Sequence, residues 1–548
     1  MVHTHILDVP NNTHPKWYKD KGLRKNVYHC MGLCLCVFYL GYDQSLLACL
    51  QSIPQWDEFF DNPSGTRLGL ISSALYFPGI FASFIGSWIS MKYGRKPALW
   101  VGSSLIIIGA IVNALAKNTA EFAGGRVLLG AGGAIAKVVA PALLQEIAHP
   151  RLRPVLASSY YGWYFLGAIV SGYLCLAGLF IHGTWSWRLA CIAQIIAPIG
   201  VLLVSFSMPE SPRFLANRGR FDEALGILAK YHANGKVDDP LVQLEYNEMV
   251  LALEAEGSEH KSSYKDFLRY KGNRRRLVMS LVMASGTNWN GSGLVGYYLT
   301  PILESIGITD PVKTINLNNG MNLWNLIVSE VAALYVESVS RRTIFFISGW
   351  GMVITMALVG GFSAGYELKG NVNLGIASIP MLFLYYGLYD IAWMSIPFHY
   401  CTEIQPFHLR TKGLALFVAM QTGSNAFNQF VNPIAFEKIT WKYYFVYVAI
   451  NLAYMAYFYF YLIDSRNMSL EEITLLFDYP RKEARERATE EMESRVRAGL
   501  LRRGSTTAAV DALYRGDTNN AASVTSFQHH LERSGSSGSN GSINEKKA

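Results

Sequence analysis

The chain has 548 residues, 51% of them hydrophobic and only 16% charged, with a formal net charge of +8. A soluble domain carries about 25% charged residues, so composition argues against a water-soluble enzyme or a nucleic-acid-binding module. The basic excess sits in short loops between apolar runs, where it reads as membrane topology.

In chain order, residues 1–26 form a polar tail without the pattern of a cleaved leader. Six apolar runs long enough to span a bilayer follow, at 27–50, 68–90, 98–116, 122–148, 155–181 and 187–208. Six more lie at 277–304, 315–336, 343–366, 373–401, 411–436 and 442–463. The domains expected are an N-terminal tail (1–26), an N-terminal six-helix bundle (27–208), a polar loop (209–273), a C-terminal six-helix bundle (274–464) and a tail (465–548). The loop has helix-like stretches at 222–233 and 241–254. The tail starts acidic and helical, then turns Ser-, Gly-, Asn- and Arg-rich, a composition expected to stay disordered. The seven cysteines all lie in or beside apolar runs, as packed reduced thiols do. Loops after spans two, four, six, eight and ten carry the basic residues, which places them and both termini on the cytoplasmic side.

The fold class is therefore an all-α membrane protein of twelve transmembrane helices. An internal repeat divides it in two. EIAHPRLR at 146–153 returns as EIQPFHLR at 403–410, and Arg95–Lys96 returns as Arg341–Arg342 in the matching loop. Two six-helix pseudo-symmetric bundles in parallel orientation would place a site between them near the midplane.

Away from their ends, the apolar runs carry charges at Asp43, Arg126, Lys137, Glu330 and Asp390. Each costs roughly 2.5–3.5 kcal/mol at membrane depth on insertion scales, so such residues are usually paired and functional. A carboxylate held ionised by a guanidinium, and protonated when that partner moves away, can carry a proton. Asp43 and Arg126 suit that role; a static ion pair is the plainer alternative. Lys137 is an unusual intramembrane cation with Asp43, Glu330 and Asp390 as possible counter-ions.

Several motifs carry a resemblance. They are GYD at 41–43, YGRK at 93–96, GR at 125–126, PESPR at 209–213, GYYL at 296–299, SRR at 340–342, EIQPFHLR at 403–410 and SLEE at 469–472. On these the chain resembles the sugar-porter branch of the major facilitator superfamily over residues 26–477. KYHANG at 230–235, SGLVGYYLTPILESIGIT at 292–309 and NQFVNPIAFEKITWKYY at 428–444 are most similar to fungal lactose and cellodextrin permeases.

The resemblance implies proton-coupled symport of a sugar across the plasma membrane by alternating access, the sugar being a disaccharide such as lactose or cellobiose. It implies no cofactor, no metal, and no enzymatic activity; the partners would be the sugar, a proton and the lipid bilayer, without nucleic acid. It assigns proton coupling to Asp43 and Arg126. It assigns a cytoplasmic gate to Arg95, Glu146, Arg153, Glu210, Arg213, Arg341, Arg342, Glu403 and Arg410. Sugars present hydroxyls at their edges and C–H at their faces, so the substrate site should combine amides with aromatic platforms. The candidates are Tyr161, Trp163, Asn288, Trp289, Asn290, Tyr297, Tyr298, Trp393, Gln421, Asn425, Asn428 and Asn432. The chain departs from the family pattern at Met91, Ser340 and Tyr161, and NWNGSG at 288–293 replaces QWSGNG. These departures suit an alternative reading, a sugar sensor whose C-terminal tail engages signalling partners.

Overall fold

The computed structural model describes residues 11–258, 263–297, 303, 310–335, 339–394, 396–405, 409–463 and 477. Expectations for Tyr298 and for the rest of the C-terminal tail lie outside the described residues, as do those for the side chains of Tyr161, Tyr297, Glu403 and Arg410.

Among the described residues, twelve helical spans follow the twelve apolar runs. Spans one to six are Lys21–Leu50, Gly65–Ser73 with Phe77–Lys92, Arg95–Leu115, Thr119–Ile147, Arg153–Gly178, and Trp185–Ala193 with Ile196–Ser207. Spans seven to twelve are Lys271–Trp289 with Ser292–Tyr297, Pro311–Tyr335, Arg341–Lys369, Val372–Ala392 with Ile396–Ile404, Arg410–Ile439 and Lys442–Tyr461. Sequence chemistry sets the interruptions. In span two, Pro78 lacks an N–H to continue the ladder and opens a new helix. In span seven, Gly291 takes φ 103°, a conformation costly for any side chain.

Seven of these spans are long and apolar enough to cross a membrane on length and hydropathy. Four of the other five are more polar. Spans seven, eight and eleven carry amides such as Asn288, Asn318 and Gln421 that face the interior, and span twelve is rich in tyrosine. The outer surface is apolar: Phe81, Phe180, Leu203, Phe206 and Phe460 are largely exposed, as lipid-facing side chains are. All seven cysteines are free and buried.

Between spans six and seven lie short helices at Pro212–Asn217, Phe221–His232, Pro240–Ser258 and Asp266–Arg269. The first three bury an apolar cluster including Phe214, Leu228, Val242 and Met249. This module is tied to the start of span one. Asp20 caps that helix at Leu23 N, 3.0 Å, while Asn234 donates to Asp20 Oδ2 at 2.8 Å and accepts from Gly22 N at 3.0 Å.

The two halves meet along spans two and eleven and along spans five and eight. Span two approaches span eleven closely at Gly69, where a Cβ would stand 2.7 Å from Phe430 O. Span five does the same at Gly172, where a Cβ would meet the Asn319 amide. Both contacts lie toward the end of the bundle opposite the basic loops. That end is closed.

Candidate functional site

Between the halves lies a cavity of about 260 Å³. Spans one, two, four and five supply one wall, including Tyr39, Asp43, Gln44, Lys137, Tyr160 and Tyr164. Spans seven, eight, ten and eleven supply the other, including Asn288, Asn318, Asn322, Asn325, Tyr386, Tyr389, Asp390, Trp393, Gln421 and Asn425. Pro141, Pro397, Phe398 and Phe417 extend the lining toward the basic end.

Asp43 and Arg126 are brought together as the charge argument expects. Arg126 Nη1 lies 3.3 Å from Asp43 Oδ1, with both residues 2% exposed. Gln194 Nε2 donates to the same oxygen at 3.4 Å. Asp43 also lines the cavity, so one carboxylate touches both an internal guanidinium and the space between the halves.

Lys137 has none of its three expected counter-ions within ion-pair distance among the described residues. Its Nζ donates instead to Gln421 Oε1 at 2.8 Å, across the interface between the halves. Gln421 Nε2 donates onward to Thr287 Oγ1 at 3.2 Å, and Asn288 Nδ2 donates to Gln421 O at 3.0 Å. Glu330 points at span five, where its carboxylate occupies the space a Cβ on Gly162 would need. Asp390 is buried in the cavity wall. With the Asn325 amide oriented to satisfy both of its ends, that side chain donates to Asp390 Oδ2 at 3.2 Å, while Asp390 Oδ1 has no described partner.

The aromatic and amide candidates separate into two groups. Asn288, Trp393, Gln421 and Asn425 line the cavity. Trp163, Trp289, Asn290, Asn428 and Asn432 stand outside its lining. Trp163 packs against the N-terminal core. Trp289 donates to Ser424 O at 3.1 Å and packs at a tilt against Phe427. Asn290 holds the span-seven break by accepting from Ser292 N at 3.0 Å. Asn428 bridges Asn288 O (2.7 Å) and the Tyr447 hydroxyl (2.7 Å), and Asn432 accepts from Tyr443 at 2.8 Å and Tyr447 at 2.5 Å. Buried amides need partners; Asn428 and Asn432 find acceptors or donors in neighbouring spans, while the Nδ2 groups of Asn290 and Asn432 have no described partner.

At the basic end, Arg95 grips Glu146 through two bonds, 3.1 and 3.0 Å, joining the start of span three to the end of span four. Glu210 accepts from the backbone N–H groups of Arg95 and Lys96 at 3.0 and 3.2 Å, capping span three rather than pairing with an arginine side chain. Arg153 pairs with Glu245 of the loop module at 3.4 Å. Arg213 is exposed. Arg342 donates to Tyr459 O at 2.7 Å.

Sequence reasoning missed a polar cluster at this end. His232 Nδ1 sits 2.6 Å from Glu245 Oε2, and its Nε2 lies 3.1 Å from Ile147 O at the end of span four. His149 packs edge-on against His232 and reaches Asn11 at 2.8 Å. Burial and the nearby His232 lower His149 to about 3. Glu245 is pushed up by burial, but His232 and Arg153 bring it net below the ordinary carboxylate value. Two sequence motifs carry its residues: KYHANG holds His232 and Asn234, and EIAHPRLR holds His149.

Comparison with known proteins sets this geometry in context. The description "Sugar (and other) transporter" matches residues 29–477. The MFS-type transporter oryC of Aspergillus oryzae is 28% identical over 442 residues, covering 79% of this chain and 82% of that protein. The high-affinity glucose transporter of Kluyveromyces lactis is 26% identical over 471 residues, covering 82% and 84%. In fold, the chain is similar to the inward-open xylose transporter XylE of E. coli, with a TM-score of 0.68, 20% identity and 82% and 99% coverage.

Proposed function

Since the chain belongs to the sugar (and other) transporter family, a family of transporters rather than enzymes, we propose that it moves a sugar together with a proton by alternating access. The observation that carries this reading is the buried Asp43–Arg126 pair opening onto a cavity shared by both halves. In the cavity-facing state Arg126 stabilises the ionised Asp43. A proton arriving from the cavity neutralises Asp43, frees Arg126, and couples its charge state to the packing of spans one, four and six.

Amides and tyrosine hydroxyls on the cavity wall suit the hydroxyls of a sugar; Trp393 offers an apolar face. Related proteins are described as glucose transporters, so hexoses stand beside lactose and cellobiose as substrates. In this reading the basic loops lie on the cytoplasmic side. The gate residues at that end then govern release, with Arg95–Glu146 holding spans three and four together while the bundles rock.

The test is uptake of labelled glucose, lactose and cellobiose in a transporter-null yeast expressing the full chain. Saturable accumulation that an uncoupler abolishes supports the reading. Absence of uptake of any sugar contradicts it.

A further inference from the structure

Lys137 is the charge that proton–sugar symport leaves without a task. It sits in the cavity wall on the N-terminal half, in a span where an uncompensated cation is costly. The charged groups facing the cavity are few. Asp43 is taken by Arg126 at 3.3 Å. Glu330 stands outside the cavity lining, directed at Gly162 of span five. Asp390 is held through Oδ2 by Asn325. None of these forms an ion pair with Lys137 among the described residues. Its described partner is the neutral Gln421, at 2.8 Å.

An ammonium has three donors, and Gln421 takes one. The other two have no described acceptor, and the side chain lines a cavity. A cation so placed is complementary to a ligand carboxylate. The same lining includes Asn288, Asn322, Asn425 and Tyr389, residue types whose amides and hydroxyl can meet hydroxyl groups. Gln421 is oriented by its own bond to Thr287, so it holds the ammonium in place without discharging it.

We infer that Lys137 selects a sugar bearing a carboxylate, a uronate or aldonate, over the neutral sugar of the same skeleton. The inference rests on the transporter reading and narrows its substrate. The ligand carboxylate supplies the counter-charge that the protein withholds, so the occupied cavity is better balanced than the empty one.

The test measures equilibrium affinity of the purified full-length protein in lipid nanodiscs, by tryptophan fluorescence, for four probes: glucuronate against glucose and galacturonate against galactose. Wild type should bind each acid at least tenfold more tightly than its neutral parent. Lys137→Met should bring that ratio to about one, and Lys137→Arg should restore most of it. Retention of the monodisperse, helical state by both variants is checked by circular dichroism. Because the readout is a ratio within one protein, a general loss of affinity does not imitate the result. Neutral sugars binding as tightly as the acids in wild type, or a preference that survives in Lys137→Met, would overturn the assignment while leaving sugar transport standing. Binding of none of the four probes would overturn the assignment, while the transport reading stands or falls on uptake of glucose, lactose and cellobiose.

Discussion

Asp43 and Arg126 form an ion pair of 3.3 Å between spans one and four, with both side chains almost completely withdrawn from solvent. Such a pair stabilises little relative to apolar packing, yet removing one partner leaves an uncompensated buried charge, at a cost of about 3–5 kcal/mol. Arg126→Ala should therefore lower thermal stability by that order, and Asp43→Asn combined with Arg126→Ala should recover part of it. Thermal unfolding of the purified variants checks this. Equal stability of wild type and Arg126→Ala would remove the pair from the account.

Lys137 and Gln421 join opposite halves through a neutral bond of 2.8 Å. Gln421→Glu would convert that bond into a direct ion pair across the interface that must open and close. Transport turnover should fall by roughly tenfold, about 1.4 kcal/mol of added barrier. An uptake assay under saturating sugar reads it.

Gly69 allows spans two and eleven to close the end opposite the basic loops, and a Cβ there would reach to 2.7 Å from Phe430 O. Contacts between non-bonded heavy atoms are best at about 3.5–4.0 Å. Gly69→Leu should shift the population away from the closed arrangement. A cysteine placed at Asn425, in the cavity, should then react faster with a membrane-impermeant thiol reagent from the far side. The native cysteines are all buried and give a low background.

The His149–His232–Glu245 cluster predicts acid sensitivity at the basic end. His149 is lowered from 6.5 to about 3, so the unfolded chain takes up a proton there before the folded one does. Stability is then lost progressively as pH falls from about 6.5 toward 3. Glu245 is depressed, so its contribution is present above its unfolded value and is lost as pH falls through the folded one. Both act in the same direction. The melting temperature should drop between pH 7 and pH 5, and His149→Gln should flatten that drop.

How much of this was legible beforehand follows from the kind of signal each residue gives. The twelve spans were readable because apolar run length is a property of sequence alone, and the two halves because EIAHPRLR and EIQPFHLR repeat. The Asp43–Arg126 pair was readable because opposite charges at membrane depth have few alternatives. Lys137–Gln421 was not, since it depends on how two bundles pack. Asn428 and Asn432 illustrate a real ambiguity: an amide that meets a ligand and one that ties helices together have the same sequence signature, and Tyr443 and Tyr447 decide the matter only in three dimensions. Glu210 was read as a gate acid, and here its carboxylate caps the backbone of span three. Arg153 found Glu245, a partner from the loop module that no repeat could indicate.

The most direct test of the central claim places the purified full-length protein in liposomes with an imposed pH gradient and follows a labelled sugar that the wild-type protein binds. Wild type should concentrate the sugar above equilibrium, an uncoupler should collapse the gradient of sugar, and Asp43→Asn should lose the accumulation. Accumulation by Asp43→Asn equal to that of wild type, or wild-type uptake indifferent to the pH gradient, would contradict the account.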